Sequence, residues 1–227
     1  MSNLLDVGLY SRAEAAKLTR APARSITRWL RGYTTAGGVE LPPMWAPDVD
    51  DPKKDLTLSF RDMLDVGAVN TLRNFGLSAQ LLRRAITRAS ELLGTSHPFS
   101  SAAFKTDGAS LLLQIDREGQ EPELVNVITS QREMHSIIER SLRHVEFAGM
   151  NPTLWRPLGP KSGVVLDPRR SLGAPIEEET SIPTATLAQA AKTEGDPQRA
   201  AQLFEVPKRA VTRAVRFEEW LQQPQAA

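Results

Sequence analysis

Residues 8–33 read GLYSRAEAAKLTRAPARSITRWLRGY, and the reading of this stretch decides the fold. Ser11 is followed three positions later by Glu14, the pattern of a capping box, in which the two side chains satisfy each other's backbone amides at a helix start. Ala13, Ala16 and Leu18 then give a compact apolar face. Thr19-Arg20-Ala21 breaks the pattern, and Pro22 is placed to open a second helix at its first position, where a missing N–H costs nothing. In that second helix Ile26, Trp29 and Leu30 share one face, whereas Arg24, Arg28 and Arg31, spaced i, i+4, i+7, share the other. A short capped helix, a tight turn and a helix with one basic face make the layout of a helix-turn-helix, whose second helix enters a DNA major groove. The same spacing also suits a two-helix unit whose arginines face only water.

Charge favours the first of these locally. Residues 9–33 carry Arg12, Lys17, Arg20, Arg24, Arg28 and Arg31 against a lone acid, Glu14. Asymmetry of this kind steers phosphate. The whole chain has a formal net charge of only +1, which argues against a protein that coats nucleic acid without specificity. Its 227 residues suffice for one large domain or two to three small ones. No apolar run approaches the ~18 residues of a membrane span. No basic leader followed by an apolar core opens the sequence, so no secretory signal is expected. With no cysteine there is no disulfide and no thiolate metal site. Together these features suggest the cytoplasm.

Working outward, residues 34–58 are polar and rich in proline. Val39-Glu40-Leu41 and Leu56-Thr57-Leu58 read as two short strands joined by a turn, which would form a wing beside the helix-turn-helix; a plain linker is the alternative. Trp45 reads as a packing anchor. Residues 59–93 read as two helices, capped by Ser59 and Ser78 and stopped by Gly76 and Gly94. Arg73, Arg83, Arg84 and Arg88 lie on their outer side, either as a second phosphate-contacting face or as a solvated one. Residues 100–130 read as strands joined by hairpins, with a turn over Phe104–Gly108, an apolar run over Ser110–Ile115 and alternation over Leu124–Thr129. A helix over 131–142 follows. From residue 150 come extended pieces at 155–158 and 164–166 and a proline-bearing loop to Pro183. Three helices follow, opening near Thr184, at Asp196-Pro197 and at Pro207. Lys208, Arg209, Arg213 and Arg216 form a basic stripe on the last.

Chemistry-bearing motifs are absent. There is no Gly-rich phosphate loop, no serine nucleophile elbow and no His-x-x-x-His pair. His97, His135 and His144 lie in separate segments and read as surface or core residues. Asp62 and Asp65 share a helix face but have no third ligand or base near them in sequence. Glu177-Glu178-Glu179 reads as a solvated run. No enzymatic activity, no cofactor and no metal are expected. The fold class is mainly α with small β elements (α+β).

Two stretches resemble known families. Residues 164–183, with Asp167-Pro168, Gly173-x-Pro175, Thr180 and Ile182-Pro183 in register and three helices after them, resemble domain-of-unknown-function family 433. Glu179 stands where that family has glycine, and Ser181 where it has arginine. Residues 1–145, through Ser59-Phe60, Leu72-Arg73, Gly76-Leu77-Ser78, Arg83-Arg84-Ala85, His97-Pro98-Phe99 and Thr106-Asp107-Gly108, resemble the MerR-like region of VapB-type antitoxins that carry this C-terminal domain. The resemblance implies an N-terminal MerR-like winged helix-turn-helix region over 1–145 (helix-turn-helix 8–33, wing 34–58) and a C-terminal three-helix, helix-turn-helix-like domain over 150–222 for dimerisation or toxin binding. It implies the antitoxin of a type II toxin–antitoxin pair, a homodimer that blocks a PIN-like ribonuclease toxin and represses its own operon on double-stranded operator DNA. Arg24, Ser25 and Arg28 would then reach base edges, and Arg20 and Arg31 phosphates. Arg83, Arg84, Lys208, Arg209 and Arg213 form the candidate second basic face. The competing readings are a MerR-like regulator that senses a small molecule without a toxin, and an interaction scaffold that binds no DNA.

Overall fold

The structure is a computed structural model of the chain and describes residues 7–49, 54–118 and 131–224. It is mainly helical, with short strands that pair two by two. The chain divides into two compact units. One comprises Tyr10–Arg143 and Phe147–Pro152; the other comprises Met1–Leu9, His144–Glu146 and Thr153–Ala227.

The first unit opens on β1 (Tyr10–Ser11) and α1 (Arg12–Thr19). The capping box is formed: the Glu14 N–H donates to Ser11 Oγ at 3.2 Å, and the Ser11 N–H donates to Glu14 Oε2 at 2.8 Å. Helix α1 ends at Arg20, which takes the left-handed conformation (φ +59°). Pro22 is the N-cap of α2 (Ala23–Arg31), one position earlier than expected, and its carbonyl accepts from the amides of Ser25 and Ile26. Ala15, Ala16, Leu18, Ala21, Ile26, Trp29 and Leu30 are buried, whereas Ala13, expected on the apolar face of α1, is exposed; the buried faces turn inward and leave Arg24 and Arg28 of α2 outside.

The wing is built differently from the expectation. Strand β2 (Tyr33–Thr34) follows α2 directly and pairs with β3 (Glu40–Leu41), Tyr33 opposite Leu41. Strand β4 (Thr57–Leu58) pairs with β1, Tyr10 opposite Leu58. The strands at 39–41 and 56–58 therefore exist but are not partners. The cause lies at Gly32 (φ +73°), where a Cβ would stand 2.3 Å from the Leu41 carbonyl oxygen. Only glycine lets the chain leave α2 so close to β3.

Ser59 and Asp62 form a second capping box at the start of α3 (Phe60–Asn74). Ser78 caps α4 (Ala79–Leu93), which stops at left-handed Gly94. Residues 102–117 are helix α5 (Ala102–Arg117), not strands. Gly108 misled the reading, because it serves packing rather than a turn. A Cβ there would meet the Phe104 ring at 2.6 Å and Ile138 Cδ1 at 3.1 Å. Phe104, Gly108, Leu112 and Ile115 follow i, i+4, i+8, i+11, a helical face that is buried, and it packs on α6 (Gln131–Ser141). The strand expected at 124–129 lies outside the described residues.

Hairpin β5 (Val145–Ala148) and β6 (Asn151–Trp155) comes next, its tip grouped with the first unit and its base with the second. In the second unit β7 (Val164–Val165) pairs with β8 (Ile176–Glu177). Helices α7 (Thr184–Glu194), α8 (Pro197–Leu203) and α9 (Lys208–Gln222) close around Leu187, Ala191, Ala200, Ala201, Val211 and Ala214. Four of these six are alanine, so the helices approach closely around a thin core. The Asp196 side chain accepts from the Gln198 amide with Pro197 at the first position, as the sequence suggests.

Candidate nucleic-acid interface

The basic face of α2 is presented as a set. Arg24 and Arg28 are exposed and Ser25 is half-buried. The Arg28 guanidinium lies over the Tyr33 ring, 4.6 Å from its centroid, which orders a long side chain at the start of the hairpin. Arg31 points to the loop, where its Nη2 donates to the Lys54 carbonyl at 2.7 Å. Arg20 sits in the turn between α1 and α2, half-buried, and burial lowers its pKa. Arg12 Nη1 donates to Thr27 Oγ1 at 3.2 Å and ties the two helices together. Helix, turn, helix and hairpin thus follow one another, with Arg24 and Arg28 facing outward beside the hairpin.

The candidate second basic face divides between the units. In α4, Arg83 donates to the carbonyls of Pro42 and Pro43 (2.9 Å to Pro43), fastening the end of the hairpin, while Arg84 is exposed. In α9, Arg209 pairs with Glu179 at 2.8 Å, and Arg213 pairs with Glu177 and with Glu179, each at 2.8 Å. Lys208 is exposed. The α9 stripe is therefore partly neutralised by its own chain.

The run Glu177-Glu178-Glu179 is not a solvated one. Glu177 is fully buried, Glu178 pairs with Arg156 at 2.5 Å, and Glu179 pairs with Arg209 and Arg213. Hydrogen bonds from Arg209 and then Arg213 lower the Glu179 pKa, and the same contacts, that to Glu179 foremost, raise that of Arg213. The partners, Arg156 just after β6 and Arg209 and Arg213 on α9, lie far along the chain, so the run alone carried no sign of them.

Sequence reasoning also missed a buried polar network in the first unit. His97 Nδ1 lies 2.8 Å from Asp65 Oδ2 and 3.8 Å from Asp62 Oδ1, and its Nε2 lies 3.0 Å from Asp48 Oδ1. Trp45 Nε1 donates to Asp62 Oδ1 at 2.8 Å, and Ser59 Oγ donates to Asp48 Oδ2 at 2.8 Å. Trp45 is the packing anchor expected of it, with a polar handle added. Burial alone would lower the His97 pKa. Hydrogen bonds to Asp48 and Asp65 and the charges of Asp65 and Asp62 outweigh that and hold it at about 10. Burial raises the pKa of Asp65. For Asp48 burial also pulls upward, but the His97 hydrogen bond and charge prevail and lower it. The histidine is therefore an imidazolium at neutral pH, clamping loop 44–48 and loop 95–101 onto the N-terminal turns of α3. The four groups pair with one another, and among the described residues no cluster is arranged to hold a metal ion. The i, i+3 spacing of Asp62 and Asp65 was the one available signal. Among the described residues no helix is long and apolar enough to cross a membrane.

No protein-family model matches the chain. It is 26% identical over 196 residues to a Mycobacterium tuberculosis protein named "Putative antitoxin VapB45", an alignment that covers 80% of this chain and 82% of that protein. Its fold matches that of the crystal structure of Rv2018 from Mycobacterium tuberculosis with a TM-score of 0.68 and 22% identity, over 92% of this chain and 98% of that one.

Proposed function

We propose that the chain is the antitoxin of a type II toxin–antitoxin pair. The observation that carries this is the similarity to a protein named as an antitoxin, which runs through four-fifths of both chains rather than one shared motif. In this reading the partner is a PIN-like ribonuclease encoded beside the chain, held by direct contact through the unit that contains α7–α9.

The first unit reads operator DNA. Helix α2 enters the major groove, with Arg24, Ser25 and Arg28 at base edges and Arg20 and Arg31 towards phosphates. The support is physical: a basic face directed outward, an arginine ordered on Tyr33, and a hairpin beside the helix. Two chains related by a two-fold axis would set their α2 helices on half-sites about 34 Å apart. Gel-shift titration against the DNA upstream of its own gene tests the placement. Arg28→Ala is expected to cost about 1–3 kcal/mol and to relax base preference at one position of each half-site. Binding that is unchanged in affinity and sequence preference would remove α2 from the groove.

A further inference from the structure

The second unit carries a cleft of about 560 Å³ that neither the DNA reading nor the core of α7–α9 uses. We infer that this cleft is a docking site for an acidic segment of a partner protein, one that sets an aliphatic side chain between carboxylates. The inference deepens the antitoxin reading by naming the chemistry of the contact, and rests on it only for the identity of the partner.

Five cations line the cleft: Lys161, Lys208, Arg209, Arg213 and Arg216. Two are already engaged, Arg209 with Glu179 and Arg213 with Glu177 and Glu179. Lys161, Lys208 and Arg216 are exposed, and no ion pair joins them to a carboxylate among the described residues. The cleft therefore keeps a positive surplus at its rim. Its wall is fixed, because Arg213 lies against left-handed Gly163, where a Cβ would stand 2.7 Å from the arginine Cδ and Nε. Leu158, 42% exposed, and buried Phe217 line the cleft with the cations.

These features select among anions. Two of the three guanidinium groups in the cleft, those of Arg209 and Arg213, already hold carboxylates, so the geometry there suits that group. The exposed apolar atoms belong to leucine, and Phe217 is 1% exposed, so no ring is offered for a base to stack on. Two of the three Arg forks that could grip a phosphate are already occupied, which leaves Arg216 alone. An aliphatic side chain on Leu158, flanked by carboxylates at Lys161, Lys208 and Arg216, uses what remains.

The test is fluorescence polarisation of the labelled pentapeptide Glu-Glu-Leu-Glu-Glu against the full chain. Saturable binding is expected, lost by at least about tenfold in Lys208→Glu/Arg216→Glu and weakened in Lys161→Glu. All three substitutions lie on the surface, and circular dichroism checks that the fold is kept. Replacing every Glu of the peptide by Gln, or its Leu by Gly, is expected to weaken binding as well. The inference is overturned if the pentapeptide does not bind, if the substitutions leave its binding unchanged, or if inorganic phosphate or duplex DNA binds through these residues while the peptide does not. Because the probe is synthetic, its failure is read separately from a failure of the toxin pairing.

Discussion

His97 shows how much one buried charge organises. Its pKa of about 10 in the folded chain lies above the value of about 6.5 for a free histidine. A group raised in this way contributes stability that is complete below pH ~6.5 and is lost as pH rises towards 10. Thermal unfolding is therefore expected to show a falling melting temperature between pH 7 and 10. In His97→Gln that slope disappears, and buried Asp62 and Asp65, left without a cation while Asp48 keeps Arg61, cost about 3–5 kcal/mol at neutral pH. A variant with the wild-type slope would mean that the network is not held by a charged imidazole. Arginines of α9 separate in the same way. Arg213 faces Glu177, whose side chain is 0% exposed, whereas Arg209 and Glu179 are 63% and 42% exposed. Urea titration should find Arg213→Ala costing several-fold more than Arg209→Ala, which belongs with surface pairs worth about 0–1 kcal/mol. Little of this was legible in the sequence, since Asp48, Asp62 and Asp65 meet His97 only after α3 and the loop at 95–101 have folded.

Elements were legible where their signals are local. Ser11 with Glu14, Ser59, Ser78, and Asp196 with Pro197 each marked a helix start, because a cap is made by residues within one turn. Strand pairing was not, because it depends on where the chain reverses. Gly32 decides that reversal, through a contact with Leu41 that only the folded hairpin contains. Gly32→Ala is accordingly expected to destabilise more than Gly38→Ala. Gly38 also has a positive φ (+79°) but nothing within 4 Å of a Cβ, so its cost is the backbone penalty of about 1–2 kcal/mol. Chemical denaturation of both variants checks the order, and equal losses would deny Gly32 its role. Helix α5 was misread for a related reason: Gly108 looks like punctuation until Phe104 and Ile138 fill the place of its side chain.

At the scale of the whole molecule the two units differ in charge and packing. The first unit turns Arg24 and Arg28 outward on α2, and the second gathers α7–α9 around a thin alanine-rich core beside a cationic cleft. The basic face of α2 was readable from the spacing of its arginines, and its exposure follows from the burial of Ile26, Trp29 and Leu30 on the opposite side. The role of α9 was not readable, because the carboxylates that occupy Arg209 and Arg213 come from β8 and the turn after it. The central claim is that this chain neutralises a toxic partner. Its most direct test is to express the product of the neighbouring reading frame with and without this chain, following growth and co-purification. The account predicts that the neighbour alone arrests growth, that this chain restores it, and that the two purify as one complex. A neighbour that leaves growth untouched, or an arrest that this chain neither relieves nor meets with a complex, would contradict it.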